Sequence, residues 1–269
     1  MSRFKSKNPI TATCIALIFI GCIMIIPIRP LLTTVGLSKF QTEYISLFIK
    51  MTFIFTLSFL AVKTLKIEKI VGISPEYKWK NKALNLIPIY LFLLGIASVI
   101  SKDFSEVIPF NIVILLIACL SVGFAEEFLF RGVLQALFIK KYYKKKNGIL
   151  VSIFSSSFAF GLFHLINLFK SETVGPVLIQ VIFATFIGFF FGVMVLKTNK
   201  IIPLAITHAL INFFFSLQLL PGLNISVQED NTISLAPIII FLPLLTIGIL
   251  LLKKVNREEI KEKLNANHN

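Results

Sequence analysis

Residues 111–133 read NIVILLIACLSVGFAEEFLFRGV. An almost unbroken apolar run leads straight into two adjacent acids, Glu126 and Glu127, with Arg131 four positions on. Eleven of the thirteen acidic residues lie outside the long apolar stretches; these two lie inside one. A charge at membrane depth is expensive and needs a partner or a task. The stretch therefore predicts a membrane helix that carries chemistry.

The composition agrees. The chain is 56% hydrophobic with mean hydropathy +0.87, values that suit a bundle of membrane helices and not a soluble domain of 269 residues. Twenty-eight Phe and one Trp fit a lipid-facing surface. The net charge of +14 would suggest nucleic acid in a soluble protein, but here the basic residues sit mainly in short loops. Membrane orientation accounts for them, and no nucleic-acid partner is expected. Cys14, Cys22 and Cys119 all lie in apolar segments and are read as small buried fillers. Their spacing excludes a disulfide framework or a Cys-x-x-C metal site. The first apolar run extends to about Ile28 with no small-residue cleavage site, so it reads as a retained first helix.

A membrane span needs roughly 20 apolar residues. Eight are expected, at about 9–28, 44–63, 84–101, 108–139, 148–169, 174–196, 201–220 and 234–252. Alternate loops and tails then hold 21 Lys and Arg on one face and 4 on the other, with Lys50 and Arg131 inside spans. The positive-inside rule places the rich face, and both termini, in the cytoplasm. The expected fold is all-α, a single polytopic domain over 1–269 with a short polar tail from Lys253 to Asn269. Lys66–Lys82, with Tyr77 and Trp79 among lysines, reads either as an interfacial stretch on anionic headgroups or as a solvated loop with a membrane-edge anchor. Lys50 is expected to snorkel to the interface.

On a helix Glu127 and Arg131 share a face and can pair, whereas Glu126 points about 100° away and is left without a partner. A lone buried carboxyl is a candidate general base. The histidines are His164 in the fifth span, His208 in the seventh and His268 in the tail. Asn212 follows His208 on the same helix face. A membrane histidine alone reads as an interhelical hydrogen bonder. Two histidines, an Asn and an unpaired Glu on three helices point further. The imidazoles could hold a water beside Glu126, and His208 with Asn212 could donate to a developing oxyanion. The helical rise puts Glu126 roughly 21 Å from Lys140, His208 roughly 12 Å from Lys200 and His164 roughly 24 Å past Gly148. These depths coincide only if the helices tilt. A cavity open towards the cytoplasm is expected. Ser155, Ser156 and Ser157 lie two turns or more from His164 and read as packing groups.

At these residues the chain resembles the CPBP intramembrane proteases, which include CAAX prenyl endopeptidases and the bacteriocin-processing or immunity-associated Abi proteins. The resemblance rests on Glu-Glu-x-x-x-Arg-Gly at 126–132, Phe-x-x-x-His at 160–164 and His-x-x-x-Asn at 208–212, and the stretch from Gly188 through Gly192, Thr198-Asn199 and Pro203 to His208 is similar to the family's spacing. It covers about 108–215, a catalytic core that follows N-terminal helices over 1–107. It implies that Glu126 activates water with His164 and that His208 and Asn212 form an oxyanion hole. Glu127, Arg131 and Phe160 are then structural. A zinc held by Glu126, His164 and His208 stays open beside metal-free chemistry, although His-Glu-x-x-His is absent. Gly188 and Gly192 favour close helix packing. Pro203, Pro237 and Pro243 mark helix starts or kinks.

The expected function is a multi-pass intramembrane endopeptidase of the bacterial plasma membrane. Its expected partners are the lipid bilayer and a membrane-associated peptide or protein substrate. The rivals are a non-catalytic scaffold or bacteriocin immunity protein, and an ion-coupled transporter using Glu126.

Overall fold

The computed structural model describes residues 8–169, 173–223 and 234–266; His268 lies outside them. It is helical throughout, with no strand among the described residues. In chain order the α-helices are α1 (Pro9–Ile25), α2 (Arg29–Thr33), α3 (Lys39–Thr64), α4 (Glu68–Val71), α5 (Ile89–Ala97) and α6 (Pro109–Glu126). They continue with α7 (Gln135–Tyr142), α8 (Gly148–Phe163), α9 (Val174–Thr198), α10 (Ile202–Ser216), α11 (Ala236–Leu252) and α12 (Arg257–Asn265). Between α6 and α7 the chain stays helical but widens into a π-helix over Glu127–Leu134.

Local sequence sets these limits. Proline occupies the first turn of α1, α6, α10 and α11, where its missing N–H is no loss. Pro203 and Pro237 thus mark starts, while Pro243 lies within α11. Ser38 and Gln41 cap α3 reciprocally, and the Asn256 side chain accepts from the N–H groups of Glu258 and Glu259 at the head of α12.

Six helices are long and apolar enough to cross a membrane: Pro9–Thr33, Lys39–Thr64, Pro109–Tyr142, Gly148–Phe169, Val174–Thr198 and Ile202–Leu219. The other two of the eight expected spans are shorter. Lys82–Ala97 is split at Pro88 into a 3-10 turn and α5. α11 has 17 residues and meets the charged α12 at a bend of 79°. Pattern alone overstated the first, because apolar residues continue into the turn after α5; α11 matches the expected 234–252 to within two residues and makes a seventh candidate span if it is taken together with α12.

The loops with most of the basic residues gather at one end of the bundle. There the Lys80 N–H donates to Thr198 O (2.9 Å), Asn81 Nδ2 to Lys197 O (2.9 Å), Lys69 Nζ to Ala266 O (3.4 Å) and Arg257 to the Lys145 carbonyl (2.9 Å). Within Lys66–Lys82, α4 ends at Gly72 and Trp79 is exposed beneath the Lys82 ammonium.

Two expectations fail. Lys50 does not snorkel: it is only 9% exposed, and its ammonium donates to Met24 O (2.7 Å) near the end of α1. Carbonyls in the last turn of a helix have no intrahelical partner, so a lysine is well matched there. Of the three cysteines only Cys119 is buried. Cys14 and Cys22 lie on the outer face of α1, which packs against the rest along a narrow stripe that includes Ile20 and Ile23.

Small residues set the helix spacing around the centre. A β-carbon on Gly123 of α6 would collide with the Ala205 carbonyl oxygen and lie 2.8 Å from the Ala209 nitrogen of α10. One on Gly161 of α8 would collide with Thr185 of α9. One on Gly188 would meet the Arg131 guanidinium at 2.9 Å, and one on Gly192 the side-chain amide oxygen of Gln135 at 2.5 Å. The Gly188 and Gly192 pair therefore seats α9 against the charged helix, as close packing of small residues allows.

Candidate active site

Glu126 closes α6 and Glu127 opens the π-helix. Single π turns inside α-helices recur at functional sites. In a regular α-helix adjacent residues diverge by about 100°, which is why the sequence leaves Glu126 without a partner. Here both glutamates reach one imidazole. His208 Nδ1 donates to Glu127 Oε1 at 2.8 Å, and His208 Nε2 lies 3.5 Å from Glu126 Oε2. Glu126 is thus not isolated: His208, one and a half turns into α10, stands against it.

Glu127 also pairs with Arg131, NH1 to Oε1 at 3.2 Å, both side chains fully buried. Arg131 stacks on the Phe160 ring, its guanidinium carbon 4.3 Å from the centroid. Phe160 then links the two histidines, edge-on to His164 (4.9 Å between centroids) and to His208 (5.8 Å). Phe191 of α9 closes the other side of His208 at 5.7 Å.

His164 caps α8, and its Nδ1 lies 3.0 Å from Phe160 O. A carbonyl only accepts, so Nδ1 carries the proton and Nε2 of a neutral ring is left as an acceptor. Asn212 lies one turn beyond His208, half-buried, with no hydrogen bond to another described residue. Its amide is therefore available as a donor. Ser156 and Ser157 turn their hydroxyls to Phe130 O (2.6 Å) and Ile153 O (2.7 Å), as packing groups do.

The structure thus brings Glu126, Glu127, Arg131, Phe160, His164 and His208 into one cluster. Asn212 joins it through α10 and not by direct contact. The differing depths are reconciled by helix crossing: the Gly123 contact sets α6 against α10, and Phe160 spans from α8 to both neighbours. The charges also close. Two carboxylates face one guanidinium and one imidazole, so one added proton would make the group neutral, the arrangement a low-dielectric site tolerates best.

A metal fits less well. Among the described residues no three His, Cys, Asp or Glu side chains gather as a ligand set. Zinc needs three or four such donors. Glu126 and His208 approach each other, but no third donor among the described residues gathers with them, and the Phe160 ring stands between His164 and His208, so no step is routed through a metal.

Sequence reasoning missed one member of this row. Gln135 follows Glu127 and Arg131 at four-residue spacing, is buried, and donates to Gly192 O at 2.9 Å. That spacing was the available signal. No curated protein and no solved structure matches the chain. Residues 108–214, which hold Glu126, Glu127, Arg131, Phe160, His164, His208 and Asn212, match the family model of the Rce1-like type II CAAX prenyl endopeptidases.

Proposed function

We propose that this multi-pass membrane protein is an endopeptidase that hydrolyses a peptide bond of a membrane-associated substrate, with Glu126 as the base. The observation that carries the reading is His208 held between Glu126 and Glu127. Glu127 accepts only, so it keeps the Nδ1 proton in place and stabilises the charged imidazole, as a buried carboxylate does for a catalytic histidine. With that added proton on His208 Nε2, Glu126 is the free carboxylate.

The reaction then follows. Water rests between Glu126 and the acceptor nitrogen of His164. Glu126 takes its proton as the oxygen attacks the carbonyl carbon. His208 Nε2–H and the Asn212 amide donate to the oxygen as negative charge develops on it. The tetrahedral intermediate collapses, the C–N bond breaks, and Glu126 returns its proton to the leaving amine. The products are a carboxylic acid, which ionises by passing the second water proton to His164 Nε2, and an amine, with no covalent acyl-enzyme.

The family match makes a peptide ending in a prenylated cysteine and three further residues the first substrate to try. The basic end of the bundle, with both termini, faces the cytoplasm in this reading, and the membrane is the bacterial plasma membrane. The test is cleavage by purified protein in detergent or liposomes, followed by mass spectrometry. Wild type should release the terminal tripeptide and Glu126→Gln should not. Equal cleavage by both would overturn the reading. A cellular phenotype that survives Glu126→Gln would point to a scaffold or immunity role.

A further inference from the structure

We propose that Asn199, Glu259 and Lys263 are positioning residues for His208, so that helix α12, outside the family-matched segment, sets the geometry of the site. The inference rests on the proteolytic reading above. α10 carries His208 and begins at Ile202, directly after the turn 198–201. That turn is held by its side chains. Asn199 adopts a left-handed conformation (φ 61°), one that Asn tolerates better than most residues. It is buried, and its amide is used at both ends by α12. Asn199 Nδ2 donates to Glu259 Oε1 (2.8 Å), and Lys263 Nζ donates to Asn199 Oδ1 (2.6 Å).

Lys263 is 2% exposed, rare for a lysine. It also pairs with Glu259 (3.2 Å) and lies over the Tyr77 ring (4.8 Å). Lys80 reaches Glu259 from the facing loop (3.2 Å). That loop closes the other side: Lys200 Nζ donates to Ser74 O (3.0 Å), and Gly72 comes so near that a β-carbon there would lie 2.6 Å from the Asn199 carbonyl oxygen. A buried ammonium and amide and a partly buried carboxylate bonded in a ring resist displacement, because moving one leaves the others unsatisfied.

The turn is the pivot of α10. From Ile202 to His208 the helix rises roughly 9 Å. A tilt of roughly 10° at the turn would move the imidazole by roughly 1.5 Å over that rise. Misplacement by about 1 Å can cost about 100-fold in rate. Sequence proximity to the catalytic motif gives no hint of this, since Glu259 and Lys263 lie more than fifty residues beyond His208.

The test uses full-length protein in detergent with Lys263→Met, which keeps the stem and removes the ammonium, and Glu259→Gln in case the first fails to fold. Lys261→Met, on the exposed side of α12, is the control. The readouts are turnover of a fluorogenic prenylated-cysteine peptide and the ¹⁵N resonances of His208 and His164. Lys263→Met should lower kcat about tenfold or more, as misplacement predicts, leave KM within about twofold, and shift His208 while His164 stays put. Lys261→Met should match wild type in every readout. Wild-type kcat and His208 resonance in folded Lys263→Met or Glu259→Gln would overturn the positioning role. Wild type that cleaves nothing, beside a His208 resonance that still moves in Lys263→Met, would leave the clamp standing and remove the proteolytic reading.

Discussion

His208 donates its Nδ1 proton to Glu127 Oε1 at 2.8 Å, which turns the opposite ring nitrogen towards Glu126. Glu127 is therefore more than the partner of Arg131: it fixes the tautomer of the imidazole. Glu127→Gln can present its NH₂ group to Nδ1 and favour the wrong tautomer. It should lower kcat by about 10²- to 10⁴-fold, the range for misassigned protons in acid–base catalysis, with the protein still inserted. Peptide turnover together with histidine ¹⁵N shifts checks this.

Arg131 is the only full-time cation in the cluster. Arg131→Met would leave Glu127 buried without its counter-ion. Breaking a buried pair in this way costs about 3–5 kcal/mol, so a large drop in melting temperature in detergent is expected. A melting point within a degree of wild type would contradict the packing described.

Gly123→Ala tests helix approach. The added methyl would press on the backbone of Ala205 and Ala209, which cannot swing aside as a side chain can. Overpacking of this kind costs about 1–3 kcal/mol. The same push widens the gap between Glu126 and His208, so turnover should fall further than stability. A proportional loss of both would argue against α6–α10 spacing as the sensitive distance.

Chelators should leave turnover unchanged, because the candidate donors do not gather into a ligand set. Activity lost in 1,10-phenanthroline and restored by zinc would reverse this.

Acid should loosen α12. Burial works to raise the Glu259 carboxyl, but its hydrogen bond to Asn199 and the charge of Lys263, with Lys80 beside it, outweigh burial and hold it below its ordinary value of 4.5. A depressed carboxylate contributes stability that is present above the ordinary value and lost as pH falls through the folded one. Lys263 is itself depressed, chiefly by burial, and stays charged across that window. Proteolytic nicking after α11 should therefore increase only below about pH 4.5 and less steeply in Glu259→Gln.

Much of the architecture was legible because membrane helices announce themselves by length and charge. The 34-residue helix through Glu126 and the basic end of the bundle both follow from hydropathy and lysine placement. The short segment at α5 did not, since the residues that follow it, Ser98-Val99-Ile100, are nearly as apolar as the helix they flank. The residues of the site were legible as charges and imidazoles in unlikely surroundings. Their mutual geometry was not. It depends on a change of helical register at Glu127 and on a phenylalanine bridging three helices, and neither leaves a mark in residue type. Asn199 shows the same gap: its spacing marks it, but its contacts stay hidden until a distant helix is found bonded to both ends of its amide.

The π-helix makes the motif unusually sensitive to chain length. A widened turn accommodates one residue more than an α-turn does. Removing a single residue between Phe128 and Leu134 would let the coil tighten into an ordinary α-helix without breaking it. The flanking turns would keep their facing, because the wide turn had absorbed the extra residue, but the tightened segment would re-aim Glu127 relative to Glu126. The result would be a well-folded helix, still long enough to span the bilayer, with its two acids facing different neighbours. Length polymorphism here would part Glu127 from His208 while hydropathy and charge stayed almost the same.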